Sequence, residues 1–141
     1  MSMGLVNLAP GAEEAALAMM LSEIIESNLR DKPQKLKDFN KLKTRVYINA
    51  YDADLELTLV FNKGELTVHN GKVGKPNISI ITDSGTLLDL TNLKIKAGIP
   101  WFFDENGREV TKKMLSGKLK IHGLVTRLLP IIRLTKVMSV Q

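Results

Sequence analysis

Few side chains in this sequence have the type and spacing that catalysis requires. His69 and His122 each lie in an alternating strand pattern among polar neighbours, without a serine or carboxylate at the spacing of a triad or a metal site. The adjacent carboxylates of residues 52–54 and 104–105 lie in predicted turns, where aspartate commonly accepts backbone hydrogen bonds. The chain has no cysteine and no glycine-rich phosphate-binding motif. We therefore expect no enzyme, no catalytic residue, no metal and no cofactor.

The length and the start of the chain indicate its organisation. With 141 residues, it can bury about two thirds of its unfolded surface around one core, so residues 1–141 are expected to form a single domain. Residues 1–10 lack the basic region of a signal peptide, and carboxylates interrupt the apolar stretch that follows. We interpret residues 1–10 as a flexible N-terminal segment and expect a cytoplasmic protein without a membrane span.

The charge is basic but unlike that of a nucleic-acid-binding protein. The net charge is +5 and the pI is about 9.5. The excess lies in the lysine-rich stretch of residues 32–45 and in scattered later lysines, with few aromatic residues nearby on which bases could stack. We therefore exclude nucleic acid as a partner. Either these lysines are solvated surface residues, or they form a patch that contacts an anionic membrane.

Hydrophobic periodicity predicts helices around a sheet. Spacing of three and four residues predicts an amphipathic helix that ends near Arg30, and Asp83 is expected to cap a second helix. Residues 94–108 contain two glycines and one proline and are expected to form a loop, with helical character from Val110 to Leu115. Alternation of apolar and polar residues predicts strands at residues 45–51, 55–61, 66–68, 77–82 and 117–123. This order predicts an α+β fold.

The last quarter of the chain is its most informative part. The strand at residues 117–123 leads directly into an apolar helix from Leu124, with Leu128, Ile131 and Ile132 expected on its inward side. Additional apolar residues widen the apolar arc beyond the roughly 100° that packing on a sheet requires. This surface therefore predicts contact with a ligand, a partner or a second chain. Pro130 is expected to kink or restart the helix.

Two stretches carry a resemblance to a known family. They are DLELTLVFNKGELTVHNGKVGKPNISIITDSGTLLDL and MLSGKLKIHG, followed by the apolar C-terminal helix. Together they resemble the sterol carrier protein type 2 lipid-binding domain over residues 45–141, most specifically over residues 114–123. The resemblance implies a five-stranded, mostly antiparallel sheet covered on one face by helices. It also implies an apolar cavity between the sheet and the helices that holds a lipid.

The chain departs from the family pattern in residues 95–112. These residues add a cluster of three aromatic side chains, Trp101, Phe102 and Phe103, and a polar turn. The aromatic residues can pack into the core, or they can form a cavity gate or a tip that touches a membrane, next to several lysines. Both readings stay open.

Pattern and resemblance together predict a function and a set of lining residues. We expect non-catalytic binding, with transfer, of a fatty acyl, isoprenoid or sterol-like ligand. The alternative is an accessory module that docks a lipid- or quinone-metabolising enzyme, or a second copy of the chain, through its apolar helix. The predicted cavity residues are Leu57, Leu59, Trp101, Phe102, Phe103, Met114, Leu124, Leu128, Ile131 and Ile132.

Overall fold

The computed structural model describes residues 5–96, 99–123 and 126–141. Its helices in order are α1 (Ala16–Asp31), α2 (Leu36–Lys41), α3 (Ser84–Leu90), α4 (Glu105–Leu115) and α5 (Leu128–Met138). Its strands are β1 (Val6–Leu8), β2 (Lys43–Ala50), β3 (Leu55–Asn62), β4 (Leu66–Asn70), β5 (Ile78–Thr82), β6 (Ile95–Lys96), β7 (Ile99–Pro100) and β8 (Lys120–His122).

Six strands form the main sheet in the order β1-β4-β3-β2-β5-β8. The β2/β3, β3/β4 and β5/β8 pairs are antiparallel, and the β1/β4 and β2/β5 pairs are parallel. The prediction of a mostly antiparallel sheet in an α+β fold is therefore confirmed, with six strands in the described residues instead of five. The additional strand is β1 (Val6–Leu8), which pairs with β4 within the segment of residues 1–10 that we interpreted as flexible. Strands β6 and β7 form a separate small hairpin.

One face of the main sheet is apolar and carries the helices. Val46 on β2 lies opposite Leu59 on β3 and Ile78 on β5, and all three side chains are fully buried. Because side chains alternate between the two faces of a strand, this register joins the apolar rows of neighbouring strands into one surface. Helix α1 packs over β1, β3 and β4, and α5 packs on α1 and α2.

The opposite face of the sheet is polar where the structure describes it. The Thr58 hydroxyl donates to the backbone oxygen of Gly71 at 2.7 Å and accepts from the Val73 N–H at 3.0 Å. The Tyr47 hydroxyl donates to the Glu56 carboxylate at 2.6 Å. These bonds satisfy the polar groups locally, so this face does not need a covering layer. The prediction of helices on one face is confirmed.

Two helices differ from the prediction, because α4 begins earlier than expected and α2 was not expected. Helix α4 begins at Glu105, within the expected loop, because the Asp104 carboxylate accepts the Gly107 N–H at 2.8 Å and caps the first turn. Gly107 is necessary there, since a Cβ at this position would lie 2.5 Å from the Phe102 Cα. Helix α2 was not predicted from its charged sequence, and the edge-to-face contact of Phe39 with Phe61, with centroids 6.2 Å apart, fixes it on the core.

Pro130 does not interrupt α5. The described helix begins at Leu128, so Pro130 is its third residue. The predicted start at Leu124 lies outside the described residues. A first-turn residue has no intrahelical acceptor for its N–H, and a proline there removes no hydrogen bond. The first bond of this helix runs from the Ile131 N–H to the Arg127 carbonyl at 3.0 Å. Of the two expected effects of Pro130, a kink is therefore wrong for the described helix, whereas its place in the first turn of α5 agrees with a restart.

The predicted helix cap at Asp83 is confirmed and gives a test by pH. Its carboxylate accepts the Thr86 N–H at 2.6 Å, and this bond is the main reason why the pKa of Asp83 is lowered. Asp83→Ala is expected to reduce the free energy of unfolding by about 1 kcal/mol at neutral pH. A carboxyl group with a lowered folded-state pKa stabilises above its ordinary pKa of 3.8 and loses that contribution as the pH falls through the folded value.

Urea unfolding of the wild type and Asp83→Ala, across acidic and neutral pH, measures this contribution. The difference between the two proteins should shrink below pH 3.8, the ordinary pKa of the group. Asp83→Asn is the matched control, because asparagine also caps helices but does not titrate. A pH-independent difference between the wild type and Asp83→Ala would contradict the assignment.

Candidate functional site

An apolar cavity lies between α5 and one end of the main sheet. Its volume is about 20 Å³, which is enough for roughly one water molecule. Strands β5 and β8 form its floor, α3 closes one side, and α5 covers it. The lining side chains are Ile78, Ile80, Leu90, Ile121, Ile131, Leu134, Thr135 and Met138.

The spacing of residues on α5 explains how the cavity is closed. Ile131, Leu134, Thr135 and Met138 are separated by three, one and three positions, so they lie on one side of the helix. Leu134 and Met138 are each only 2% exposed. Pockets for small organic ligands have volumes of about 300–1,000 Å³. The cavity is therefore closed to a lipid as long as α5 stays in this position.

The C-terminal end of α5 is held by side chains from α1 and from the segment between α1 and α2. The Asn28 amide donates to the Val137 carbonyl at 2.9 Å, and the Lys32 ammonium donates to the Val140 carbonyl at 2.7 Å. The Lys35 ammonium donates to the Lys136 carbonyl at 2.8 Å and also to the Ser139 carbonyl. These donors satisfy carbonyls that have no partner within the helix.

Lys35 is a buried cation at this anchor. Its residue is 5% exposed. Burial lowers the pKa of its ammonium group to about 8, and the positive charges of Lys32 and Lys136 act in the same direction. The negative charge of Asp38 opposes this shift. The ammonium group therefore carries its charge at neutral pH, where it can bind the carbonyls at the end of α5.

The N-terminal end of α5 has a different environment. Leu128 and Leu129 are each 54% exposed, and the Arg127 N–H donates to the Gly123 carbonyl at 2.7 Å. The helix thus presents two large apolar side chains to solvent at one end and is bound by polar contacts at the other. Leu128 does not lie in the cavity, contrary to its predicted inward position.

Among the ten predicted residues, the structure brings Ile131 into the cavity. Leu57 and Leu59 are fully buried on the same face of the sheet, but on β3, beneath α1. Met114 and Ile132 are partly buried, and Met114 packs against the main core. Leu124 lies outside the described residues. The predicted set therefore does not form one continuous surface in this conformation.

The three aromatic residues form a surface cluster, which we call the aromatic tip (Trp101, Phe102 and Phe103). Phe102 is 40% exposed and Phe103 is 70% exposed, while Trp101 is partly buried. The rings of Trp101 and Phe103 meet edge to face with centroids 5.0 Å apart. None of the three lines the apolar cavity, so they are neither its floor nor its wall in this state.

Seven of the cavity-lining residues were not predicted as a site. On α5 the signal was present, because Leu134, Thr135 and Met138 share the spacing of Ile131. On β5 and β8 the pattern predicts inward strand residues but cannot indicate that these strands are neighbours. That pairing joins strands separated by some forty residues of chain, Ile80 lying opposite Ile121.

The arrangement of histidine and carboxylate side chains bears on metal binding. Across residues 5–96, 99–123 and 126–141, no three histidine or carboxylate side chains are grouped so that they could hold a metal ion. Buried hydroxyls of Thr82 and Thr86 have no hydrogen-bond partner. Neither of these threonines is among the cavity residues. No helix in the described part of the chain is long and apolar enough to cross a membrane.

A sheet covered on one face by helices and closed by a C-terminal helix over an apolar cavity defines an α+β domain of the sterol carrier protein 2 type. The chain belongs to the SCP-2 sterol transfer family, whose pattern matches residues 21–132. The resemblance seen in the sequence is thus confirmed. SCP2 domains are generally non-catalytic modules that bind or transfer lipids.

Two solved structures have a similar fold. One is described as "UbiJ-SCP2 Ubiquinone synthesis protein", with a TM-score of 0.61, 16% identity, and coverage of 90% of this chain and 98% of that chain. The other is a crystal structure of sterol carrier protein 2, with a TM-score of 0.51, 10% identity, and coverage of 82% of this chain and 88% of that chain. At these identities the likeness concerns the fold. No curated protein sequence matches the chain at a significant level.

Proposed function

We propose that this protein binds a lipid without chemical conversion, in a pocket that forms when α5 moves away from β5 and β8. The observation that carries this proposal is the small apolar cavity beneath α5, in a chain of the SCP-2 sterol transfer family. A fatty acyl, isoprenoid or sterol-like ligand would replace the contacts that α5 now makes with the sheet. Each buried methylene contributes about 0.8 kcal/mol.

The two ends of α5 are held differently, and this difference supports opening of the pocket at the N-terminal end of the helix. Hydrogen bonds from Asn28, Lys32 and Lys35 hold the C-terminal end of the helix. The N-terminal end carries exposed Leu128 and Leu129. Displacement of that end breaks fewer of the described polar contacts than displacement of the C-terminal end would. Binding and release of lipid would permit its transfer.

Native mass spectrometry of the freshly purified protein tests this function directly. We expect an adduct of one lipid per chain that disappears after organic extraction, and the extract then identifies the ligand class. Hydrogen exchange in α5 should slow when extracted protein is reloaded, because the ligand fills the opened pocket. An apo mass before and after incubation with fatty acids, isoprenoids and sterols would contradict the proposal.

A second candidate function is an accessory role beside an enzyme of lipid or quinone metabolism. The similarity to the structure described as a ubiquinone synthesis protein favours it, and the exposed Leu128 and Leu129 offer a surface for a partner enzyme or a second copy of the chain. In this case, Leu128→Arg would dissociate the complex in size-exclusion chromatography. A monomer that loads lipid with or without this change would favour the carrier.

A further inference from the structure

A groove lined by lysines runs along one side of α2 and the end of α5. Its volume is about 610 Å³, and Gln34, Asp38, Ile95 and Gln141 also line it. We call it the lysine groove; its five cations are Lys32, Lys35, Lys37, Lys41 and Lys136. These residues come from two distant parts of the chain, and the packing of α5 on α2 brings them together.

The groove has an uncompensated positive charge. Among the described residues that line it, Asp38 is the one carboxylate side chain, and it is already paired with Lys136 at 3.0 Å and with Arg133 at 4.0 Å. In the described part of the chain, the ammonium groups of Lys37 and Lys41 have no hydrogen-bond or ion-pair partner, and both residues are exposed. A surface with this charge attracts anions.

The aromatic tip adjoins this groove through the β6/β7 hairpin. Ile95 on β6 lines the groove. Its neighbours contact Trp101: the Lys94 carbonyl accepts the Trp101 N–H at 2.8 Å, and the Lys96 ammonium lies 5.0 Å from the centre of the Trp101 ring. Exposed aromatic side chains next to several cations are typical of proteins that bind the interface of an anionic membrane.

The carboxylates near the tip indicate how a membrane would approach. Asp104, Glu105 and Glu109 line a separate shallow pocket at the start of α4. The Asp104 side chain caps the helix, and Glu109 lies 3.6 Å from Lys112. These carboxylates are balanced by Lys94, which lines the same pocket, and by the cations of α4, whereas the lysine groove carries the excess of positive charge. An anionic surface is therefore favoured on the α2 side.

We propose that the lysine groove and the aromatic tip form the surface that binds an anionic phospholipid bilayer. The ammonium groups of Lys37 and Lys41 bind phosphate groups of the lipid headgroups, and Phe102 and Phe103 enter the interface beside them. The biological use of this surface rests on the proposed lipid-binding function, because the surface would bring the domain to the membrane from which it takes lipid or to which it delivers lipid. Membrane binding itself does not require the cavity.

Vesicle binding tests the proposal with the protein's own fluorescence. Trp101 is the only tryptophan of the chain, and its emission should shift to shorter wavelength when vesicles of phosphatidylcholine with phosphatidylglycerol are added. Vesicles of phosphatidylcholine alone should bind much less. The double variant K37Q/K41Q should weaken binding about 30-fold, since each lysine near an anionic surface contributes about 1 kcal/mol.

The control variant K75Q/K120Q removes the same charge from exposed lysines outside the groove and should change the affinity little. Phe103→Ser should weaken binding about tenfold, because the ring loses its apolar contact with the interface. Circular dichroism and thermal unfolding establish that each variant folds. Lipid occupancy of K37Q/K41Q by native mass spectrometry should equal that of the wild type, so that a failure of membrane binding is distinguishable from a failure of the cavity.

Three results would overturn the proposal. Equal losses of vesicle affinity in K37Q/K41Q and K75Q/K120Q would mean that binding depends only on the net charge of the protein. Displacement from vesicles by inorganic phosphate, together with loss of phosphate binding in K37Q/K41Q, would identify a site for a soluble phosphate compound. Equal binding to both vesicle types, with co-purification of an acidic protein lost in K37Q/K41Q, would assign the groove to that protein.

Discussion

Ile121→Trp is expected to reduce lipid loading strongly while the protein stays folded. Ile121 lines the apolar cavity and lies opposite Ile80 at the edge of the sheet, where it is partly exposed. An indole ring at this position fills the space that a ligand would use. Because each excluded methylene removes about 0.8 kcal/mol, exclusion of two reduces the affinity more than about tenfold. The measurement is the amount of extractable lipid per folded chain.

Two variants make this result specific. Ile121→Ala changes the same residue of β8 but enlarges the cavity, so it should keep its lipid. Leu128→Arg adds a charge at a residue that is 54% exposed, and it should also keep its lipid if Leu128 stays outside the pocket. If Ile121→Trp contained as much lipid as the wild type, with an unchanged melting temperature, the proposed position of the pocket beneath α5 would be refuted.

Leu59→Ala is expected to destabilise the protein strongly and to leave the lipid pocket intact. Leu59 is 0% exposed, and in the sheet it lies between Val46 and Val68. Truncation of a fully buried leucine costs about 2–5 kcal/mol, because it removes apolar contacts and leaves a cavity. This is a large part of the 5–15 kcal/mol typical of whole domains. Urea unfolding measures the loss.

The comparison that separates core from pocket uses a second leucine. Leu129→Ala makes the same truncation on α5, where the side chain is 54% exposed, and it should change stability by less than about 0.5 kcal/mol. If Leu59 instead belongs to the pocket, Leu59→Ala would lower lipid content in protein that remains folded. Equal effects of the two substitutions on stability would contradict the assigned core.

Several elements could be predicted because their causes are local. The cap of α3 at Asp83 depends on a side chain three residues from its donor. The β2/β3 and β3/β4 hairpins join strands that are adjacent in the chain. Alternation and glycine-containing turns are sufficient signals for such pairs. For the same reason the spacing along α5 could indicate Ile131 as an inward residue, and Ile131 lines the apolar cavity.

The failures have equally physical causes. The strand at Val6–Leu8 is three residues long, and its pairing with β4 depends on a partner sixty positions away. Leu128 and Pro130 were misplaced because the apolar pattern continues through residues 124–138 and does not reveal that the helix begins at Leu128. Helix ends depend on which backbone groups find partners, and those partners are set by the surrounding structure.

The sequence by itself determined the α+β class, the apolar face of the sheet and the apolar C-terminal helix, because periodicity and local turns encode them. Two of its stretches also resemble a lipid-binding family. The tertiary structure decided that α5 closes a cavity of only about 20 Å³ over β5 and β8. It also decided that lysines from α2 and α5 line one groove next to an exposed aromatic tip. These features arise from contacts between segments distant in the chain, and a linear pattern of residues does not specify which distant segments meet.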